Sequence, residues 1–279
     1  MRSLSDPATL GIVTLDSTRR PFCHFAALFA VLHGCGFART PTGLQVLQRH
    51  KDMNVPHHLR DLVEELALAN RILAHEGVLD SLGHVSVRHP RDPTRYLLSR
   101  SRSAALVEPG DIEEYTLDSE RVKPGKLHPY AERVIHGCIY QARSDVMAVC
   151  HHHAPAVLPF CIAGKPIVPV YHVGAVIGEE TPFWDQHDEF GDTSLLVVKQ
   201  EEGHSLARAL GRHSVVLMRR HGATVVGGSL RELVARSIFL CQNAEYQLHA
   251  HMLGAAPSLH RGEIKLAGEI NLKIGRAHV

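Results

Sequence analysis

The sequence predicts an α/β fold, a single domain in which helices pack on a mixed sheet. Two observations carry that expectation. Between residues 55 and 253, segments of strand composition and segments with apolar residues at helical spacing alternate irregularly. Several strands follow one another in hairpin-like pairs, which puts antiparallel neighbours into the sheet. The bulk composition agrees: 44% hydrophobic and 21% charged residues are ordinary for a soluble globular chain, and 279 residues suffice to bury a substantial core.

The regular part opens with a helix over residues 57–76. There Leu59, Leu62, Val63, Leu66 and Leu73 recur at helical spacing, and Gly77 is placed to stop it. Residues 83–88 alternate as a strand does and residues 95–99 form the next strand, with the turn His89-Pro90-Arg91-Asp92-Pro93 between them. Residues 109–115 read as a short acidic helix or turn. Residues 130–142 are helical and residues 146–153 form a strand, joined by a connecting segment at 155–163 to another strand at 167–171. Strands at 194–198 and 214–218 flank a helix at 203–210. A strand at 224–226 ends at Gly227-Gly228, and residues 230–253 make a long amphipathic helix.

Both ends of the chain depart from this pattern. Residues 1–52 combine Pro, Arg, Thr and Gly with one apolar patch at 22–37, interrupted by His24, His33 and Gly34. Arg19-Arg20 precede the patch as in a signal peptide, but it starts too late in the chain and lacks a convincing small-residue cleavage site. Residues 1–52 therefore read as a poorly ordered extension ahead of a natural start at Met53, and residues 53–273 as the domain proper. Residues 274–279, Ile274-Gly275-Arg276-Ala277-His278-Val279, look like a translated sequencing adapter, an artefactual tail on a chain cut short at its C-terminus.

A formal net charge of +1 supplies no global field for nucleic acid or an anionic membrane, and no basic stripe carries interleaved aromatics. No apolar run approaches the length of a membrane span. The six cysteines (Cys23, Cys35, Cys138, Cys150, Cys161, Cys241) form no CxxC pair and keep no regular spacing. They read as reduced, mostly buried thiols of a cytoplasmic protein.

Histidine is the outlier, with 22 in the chain. At that density about one or two His-x-His patterns arise by chance, so spacing alone is weak evidence. Geometry separates the two that matter. His151, His152 and His153 close a segment of strand composition, so His151 and His153 share a face while His152 points away. His249 and His251 lie in a helix, where positions two apart diverge by roughly half a turn; they read as solvated or packing histidines. His221 stands between a strand and Gly222, where glycine lets the chain turn and leaves room for a ligand. Three imidazoles around an otherwise open divalent ion make a catalytic arrangement, because the remaining position takes water or substrate. Glu132 and His136, four apart on a helix, share a face. Glu132 there is either a further ligand or a general base, the plainer alternative being a surface pair.

The chain is similar to the class II aldolase/adducin family over about residues 59–254. The resemblance rests on Gly83-His84-Val85-Ser86-Val87-Arg88, then Glu132 through Tyr140, then Ala148-Val149-Cys150-His151-His152-His153, then His221-Gly222. It implies a three-layer α/β/α sandwich around a mostly antiparallel central sheet, and a homotetramer with sites near subunit interfaces. It also implies one divalent metal on His151, His153 and His221, zinc by preference with manganese, cobalt or iron possible, and Glu132 as ligand or acid/base.

Departures from the phosphate-handling members bear on the substrate. His84 replaces an asparagine of the phosphate loop, Ser101-Arg102 replaces a Thr-Gly contact, and Tyr130-Ala131 replaces two serines. His84, Ser101, Arg102 and Tyr130 are therefore expected to bind substrate. Cationic planar donors suit a carboxylate better than small hydroxyls do, although Arg100 and Arg102 read equally as solvated. The pattern around His84 resembles the branch with decarboxylase- and oxygenase-like members. The expected activity is a metal-dependent lyase, by aldol-type cleavage or decarboxylation, acting through an enolate on a small, non-phosphorylated carboxylate. A non-haem iron oxygenase using two histidines and a carboxylate is the alternative. A non-catalytic adducin-like module is disfavoured by the retained histidines.

Overall fold

The computed structural model describes residues 59–125 and 127–278. The expected extension, residues 1–52, and Met53 lie outside the described residues.

The first helix, α1 (Arg60–His75), buries Val63, Leu66 and Leu73 of the positions its spacing singled out, with Leu59 buried just ahead of it and Leu62 partly buried, and adds Ala67. Full burial of a leucine side chain contributes about 1.5–3 kcal/mol. Gly77 stops the helix in the left-handed region, φ 70°. The amides of Gly77 and Val78 return to the carbonyls of Ala74 and Leu73, so the last turn closes on itself. Asp80 then caps the next turn by accepting from the Leu82 and Gly83 amides at 2.9 and 2.7 Å. From there the chain enters the sheet.

Seven strands form one sheet: β1 (His84–Arg88), β2 (Arg95–Ser99), β3 (Ile112–Thr116), β4 (Ala148–His152), β5 (Phe183–Trp184), β6 (Val215–Met218) and β7 (Gly222–Gly227). Their order is β3-β2-β1-β4-β7-β6-β5. Every pairing is antiparallel except β5 with β6. Alternation along the strands feeds two cores. Ala148, Cys150, Val215 and Leu217 face α1, α3 (Leu158–Ala163) and α6 (Leu230–Met252). Val149, Val216 and Met218 face α2 (Val134–Ala142) and α5 (Gln200–Leu210). The result is the expected three-layer sandwich around a mostly antiparallel sheet. Short α4 (Gln186–Phe190) and the C-terminal α7 (Arg261–His278) complete it. No helix among the described residues is long and apolar enough to cross a membrane. Four cysteines are described, all free, with Cys138, Cys150 and Cys161 buried.

Four local expectations are corrected. The segment expected as an acidic helix or turn at 109–115 is a single 3-10 turn, Pro109–Asp111, followed by edge strand β3. The connecting segment at 155–163 contains α3. The strands expected at 167–171 and 194–198 join no ladder. In the first of these the backbone groups find their partners in side chains of α6. Asn243 accepts from the Val170 amide and donates to the Val168 carbonyl, and Gln247 does the same for Val168 and Pro166. Gly174 makes space for this, since a Cβ there would stand 2.0 Å from Asn243 Oδ1.

Asn243 is fully buried. Replacing it with leucine leaves two partly buried backbone groups without their partner, each worth up to about 1–3 kcal/mol. Urea denaturation of Asn243→Leu is expected to show a loss of about 2–4 kcal/mol; an unchanged midpoint would mean the segment is held by packing alone.

Candidate metal centre

One end of the sheet gathers the ligand groups. His151 is the fourth residue of β4, fully buried, and His153 follows just past the strand on the same face. His152 faces the opposite core, its Nδ1 accepting from the Ala154 amide at 3.2 Å. His249 and His251 are exposed on α6 and stand outside the cluster. His221 closes the turn from β6 to β7, with its amide donating to the Met218 carbonyl at 3.1 Å. The left-handed residue of that turn is Arg220, φ 56°, and not the glycine after it. Gly222 is needed for a different reason: a Cβ there would meet the His152 carbonyl oxygen at 2.3 Å. Glu132 lies in the 3-10 turn Ala131–Arg133 at φ −89°, ψ 19°, a break in the helical path that turns it away from the helix surface.

Ligand atoms of Glu132, His151, His153 and His221 all lie within 4.8 Å of one another, so the four could hold one metal ion. The Nε2 atoms of His151 and His153 face each other at 3.1 Å. Glu132 reaches both sides, with Oε2 3.7 Å from His151 Nε2 and Oε1 3.5 Å from His221 Nε2. Nitrogens on one tetrahedral ion at about 2.0–2.1 Å sit about 3.3 Å apart, close to this spacing. The outward nitrogens are also provided for. His151 Nδ1 meets Thr224 Oγ1 at 3.3 Å and His153 Nδ1 meets Asp80 Oδ2 at 3.2 Å, the kind of support that fixes a ligating ring. His221 Nδ1 is buried without a partner. The donor set fits a divalent ion.

Electrostatics fit as well. Burial, reinforced by the neighbouring rings of His221, His84 and His153, holds His151 well below the usual imidazole range, so it presents a lone pair. Burial pushes Glu132 upward, but His221, the Val197 amide and His84 outweigh it and keep the carboxyl below its ordinary value. The Val197 amide donates to Glu132 Oε1 at 2.9 Å. Burial likewise raises Asp80, and the Gly83 and Leu82 amides with His153 bring it below normal.

His84 packs against this cluster, its ring 5.3 Å from that of His151 and 4.4 Å from that of Tyr130. His136 is no surface partner of Glu132; it is fully buried behind His84. Arg102 and Arg100 are not free: both grip Asp111 at 2.7 Å. Tyr130 lends its hydroxyl to the Arg102 carbonyl, and Ser101 is exposed with its amide on the His128 carbonyl. A cleft of about 390 Å³ opens beyond the ends of β5 and β6, lined by Asp185, His187, Leu195, Arg219 and Arg220.

The sequence reading did not reach Asp80, Thr224 or the Val197 amide. Thr224 becomes visible once the register of β4 with β7 is known, and Asp80 carries a weak signal as a capping residue three before Gly83. An amide donor has no sequence signature.

The family described as Class II Aldolase and Adducin N-terminal domain matches residues 64–248. The chain belongs to this family. It is similar to decarboxylase tropJ of Talaromyces stipitatus, 36% identical over 198 residues that span 66% of this chain and 74% of the relative. It is also similar to a 3,4-dihydroxyphthalate decarboxylase of Arthrobacter keyseri, 30% identical over 227 residues spanning 77% and 91%. Among solved structures, an L-fuculose 1-phosphate aldolase from Glaciozyma antarctica PI12 shares the fold, with a TM-score of 0.65 at 21% identity over 78% of this chain and 88% of that one. The chain is an enzyme of the aldolase/decarboxylase type.

Asp80→Asn keeps the shape but weakens the support of His153. A fall of about 10–100-fold in metal affinity is expected by competition with a chelating dye; unchanged affinity would dismiss Asp80 as a support.

Burial brings His136 down to about 3 from 6.5. The unfolded chain therefore binds a proton that the folded chain refuses between those values. The stability His136 confers is complete above pH 6.5 and is lost as pH falls toward 3, by up to about 1.4 kcal/mol per pH unit. Urea midpoints of metal-free protein should fall across that window, and more gently in His136→Asn.

Proposed function

We propose that this chain is a divalent-metal-dependent lyase that decarboxylates a small, non-phosphorylated hydroxy- or keto-carboxylate, aldol-type C–C cleavage being the nearest chemical variant. The observation that carries the reading is the convergence of Glu132 with His151, His153 and His221, with His84 packed beside them. His151, His153 and His221 would hold the ion, leaving a position for substrate and Glu132 beside it as the acid/base. Three imidazoles suit zinc first, then manganese, cobalt or iron. When bound, the ion supplies a Lewis acid that draws electron density from a carbonyl or hydroxyl oxygen of the substrate.

Glu132 is held ionised in the folded chain, so it starts as a proton acceptor. It takes a proton from a substrate hydroxyl and returns it to the carbon that loses carbon dioxide. The bond to the carboxylate carbon breaks, its electron pair stays on the remaining carbon, and the returned proton forms the new C–H bond. One proton from solvent restores the substrate oxygen, so atoms and charge balance.

His84 and the Tyr130 ring hold the substrate in this proposal, with Ser101 and Arg102 further out on the rim. Arg102 is committed to Asp111, which leaves His84 as the principal contact for a carboxylate oxygen. The names of the two decarboxylase relatives support the choice of reaction. The same reading includes assembly as a homotetramer and a cytoplasmic setting.

Elemental analysis should find one divalent ion per chain. A screen of hydroxy- and keto-carboxylates should then release carbon dioxide under strict anaerobiosis. Glu132→Gln is expected to lower kcat by about 10²–10⁴-fold. Turnover that requires oxygen would replace this reading with an iron oxygenase, and absence of metal would return the chain to a binding role.

A further inference from the structure

His84 heads a line of four polar side chains with almost no access to solvent. His84 Nδ1 lies 2.6 Å from His136 Nε2, His136 Nδ1 lies 2.6 Å from Ser86 Oγ, and Ser86 Oγ lies 2.8 Å from the Tyr140 hydroxyl. All four residues are 0–1% exposed. Ser86 and His84 come from the same face of β1, and His136 and Tyr140 from successive turns of α2. Each of these contacts can in principle carry its hydrogen in either direction, and the protein's own chemistry chooses between them.

We infer that His136 and Ser86 are positioning residues, that the hydrogen bonds of the line run one way, from Tyr140 to His84, and that they fix His84 as an imidazole offering its Nε2–H to the site. The choice follows from counting hydrogens. Among the described residues, the Tyr140 hydroxyl has no acceptor but Ser86 Oγ, since the Val149 amide beside it is itself a donor. Tyr140 therefore donates to Ser86, and Ser86 passes its own hydrogen to His136 Nδ1. His136 then carries its hydrogen on Nε2 and donates to His84 Nδ1, which leaves the hydrogen of His84 on Nε2. In the opposite direction His136 Nδ1 would donate to Ser86, and one of the two hydroxyl hydrogens would be left without an acceptor in a dry interior. A buried donor left unmade carries its full desolvation cost.

With the His136 hydrogen on Nε2, the 2.6 Å gap leaves His84 Nδ1 bare and its ring neutral; burial also lowers His136 to about 3. Arg88 steadies the far end. Its guanidinium lies 4.7 Å from the centre of the Tyr140 ring and donates to the carbonyls of Tyr140, Arg143, Val146 and Pro93.

A fixed N–H donor recognises an anionic oxygen, such as one of a carboxylate, and cannot act as a base. His84 thus selects and orients while Glu132 remains the group that moves the proton. The substrate class rests on the proposed function; the tautomer does not.

The test uses [¹⁵N]histidine-labelled protein stripped of metal and without substrate, read by long-range ¹H–¹⁵N correlation near neutral pH. His84 and His136, assigned by the signals missing from His84→Asn and His136→Asn, should both be neutral and protonated at Nε2. Ser86→Ala should free His136 Nδ1 and leave His84 as a mixture of tautomers, and Ser86→Thr should restore the single form. Tyr140→Phe should keep it, because Ser86 still donates to His136. Finding His84 protonated at Nδ1 in the parent chain overturns the inference. Finding Nε2–H while the decarboxylation screen fails sinks the reaction and leaves the relay standing.

Discussion

The register of β4 between β1 and β7 is the constraint on which the rest of the site depends. His84 stands opposite His151 on one side, and Thr224 stands opposite His151 on the other. Three strands distant in sequence thereby place a candidate ligand, its supporting hydroxyl and its neighbour in one row across the sheet. Because side chains alternate with period two, a slip of one residue would send His151 into the wrong core and bring His152 forward. The apolar residues forbid that slip: Ala148 and Cys150 belong to one core and Val149 to the other.

That arrangement brings several imidazoles into an interior that does not tolerate charge. The fold answers by keeping His84, His136, His151 and His152 neutral and by confining ionised groups to positions with donors. Glu132 keeps its charge because an amide and neighbouring rings face it, and Asp80 because two amides cap it. Neutral rings presenting lone pairs beside ionised carboxylates make a setting chemically suited to a cation.

Much of this was legible in the residues. Period two separated His151 and His153 from His152, and the helical setting of His249 and His251 dismissed them. The layered architecture and the order Glu132, His151, His153, His221 came from family resemblance. What stayed hidden depended on partners that no local pattern encodes. Residues 167–171 have strand composition, yet their hydrogen bonds go to Asn243 and Gln247 over 70 positions away. Residues 194–198 look like a strand and instead supply the amide that holds Glu132. Arg102 looked free because Asp111, nine positions later, is not visibly its partner until both side chains are seen on one rim.

The buried line from Tyr140 to His84 also bears on how such a chain can change over time. Neither Ser86 nor His136 can be replaced alone by an apolar residue without stranding a polar atom in a dry place, so these positions are expected to be inherited together. A lineage that turned His84 into a residue of another kind would meet pressure to rewrite Ser86 and His136 with it. Substrate preference in this fold would then shift in jumps, with intermediate sequences that fold less well than either end.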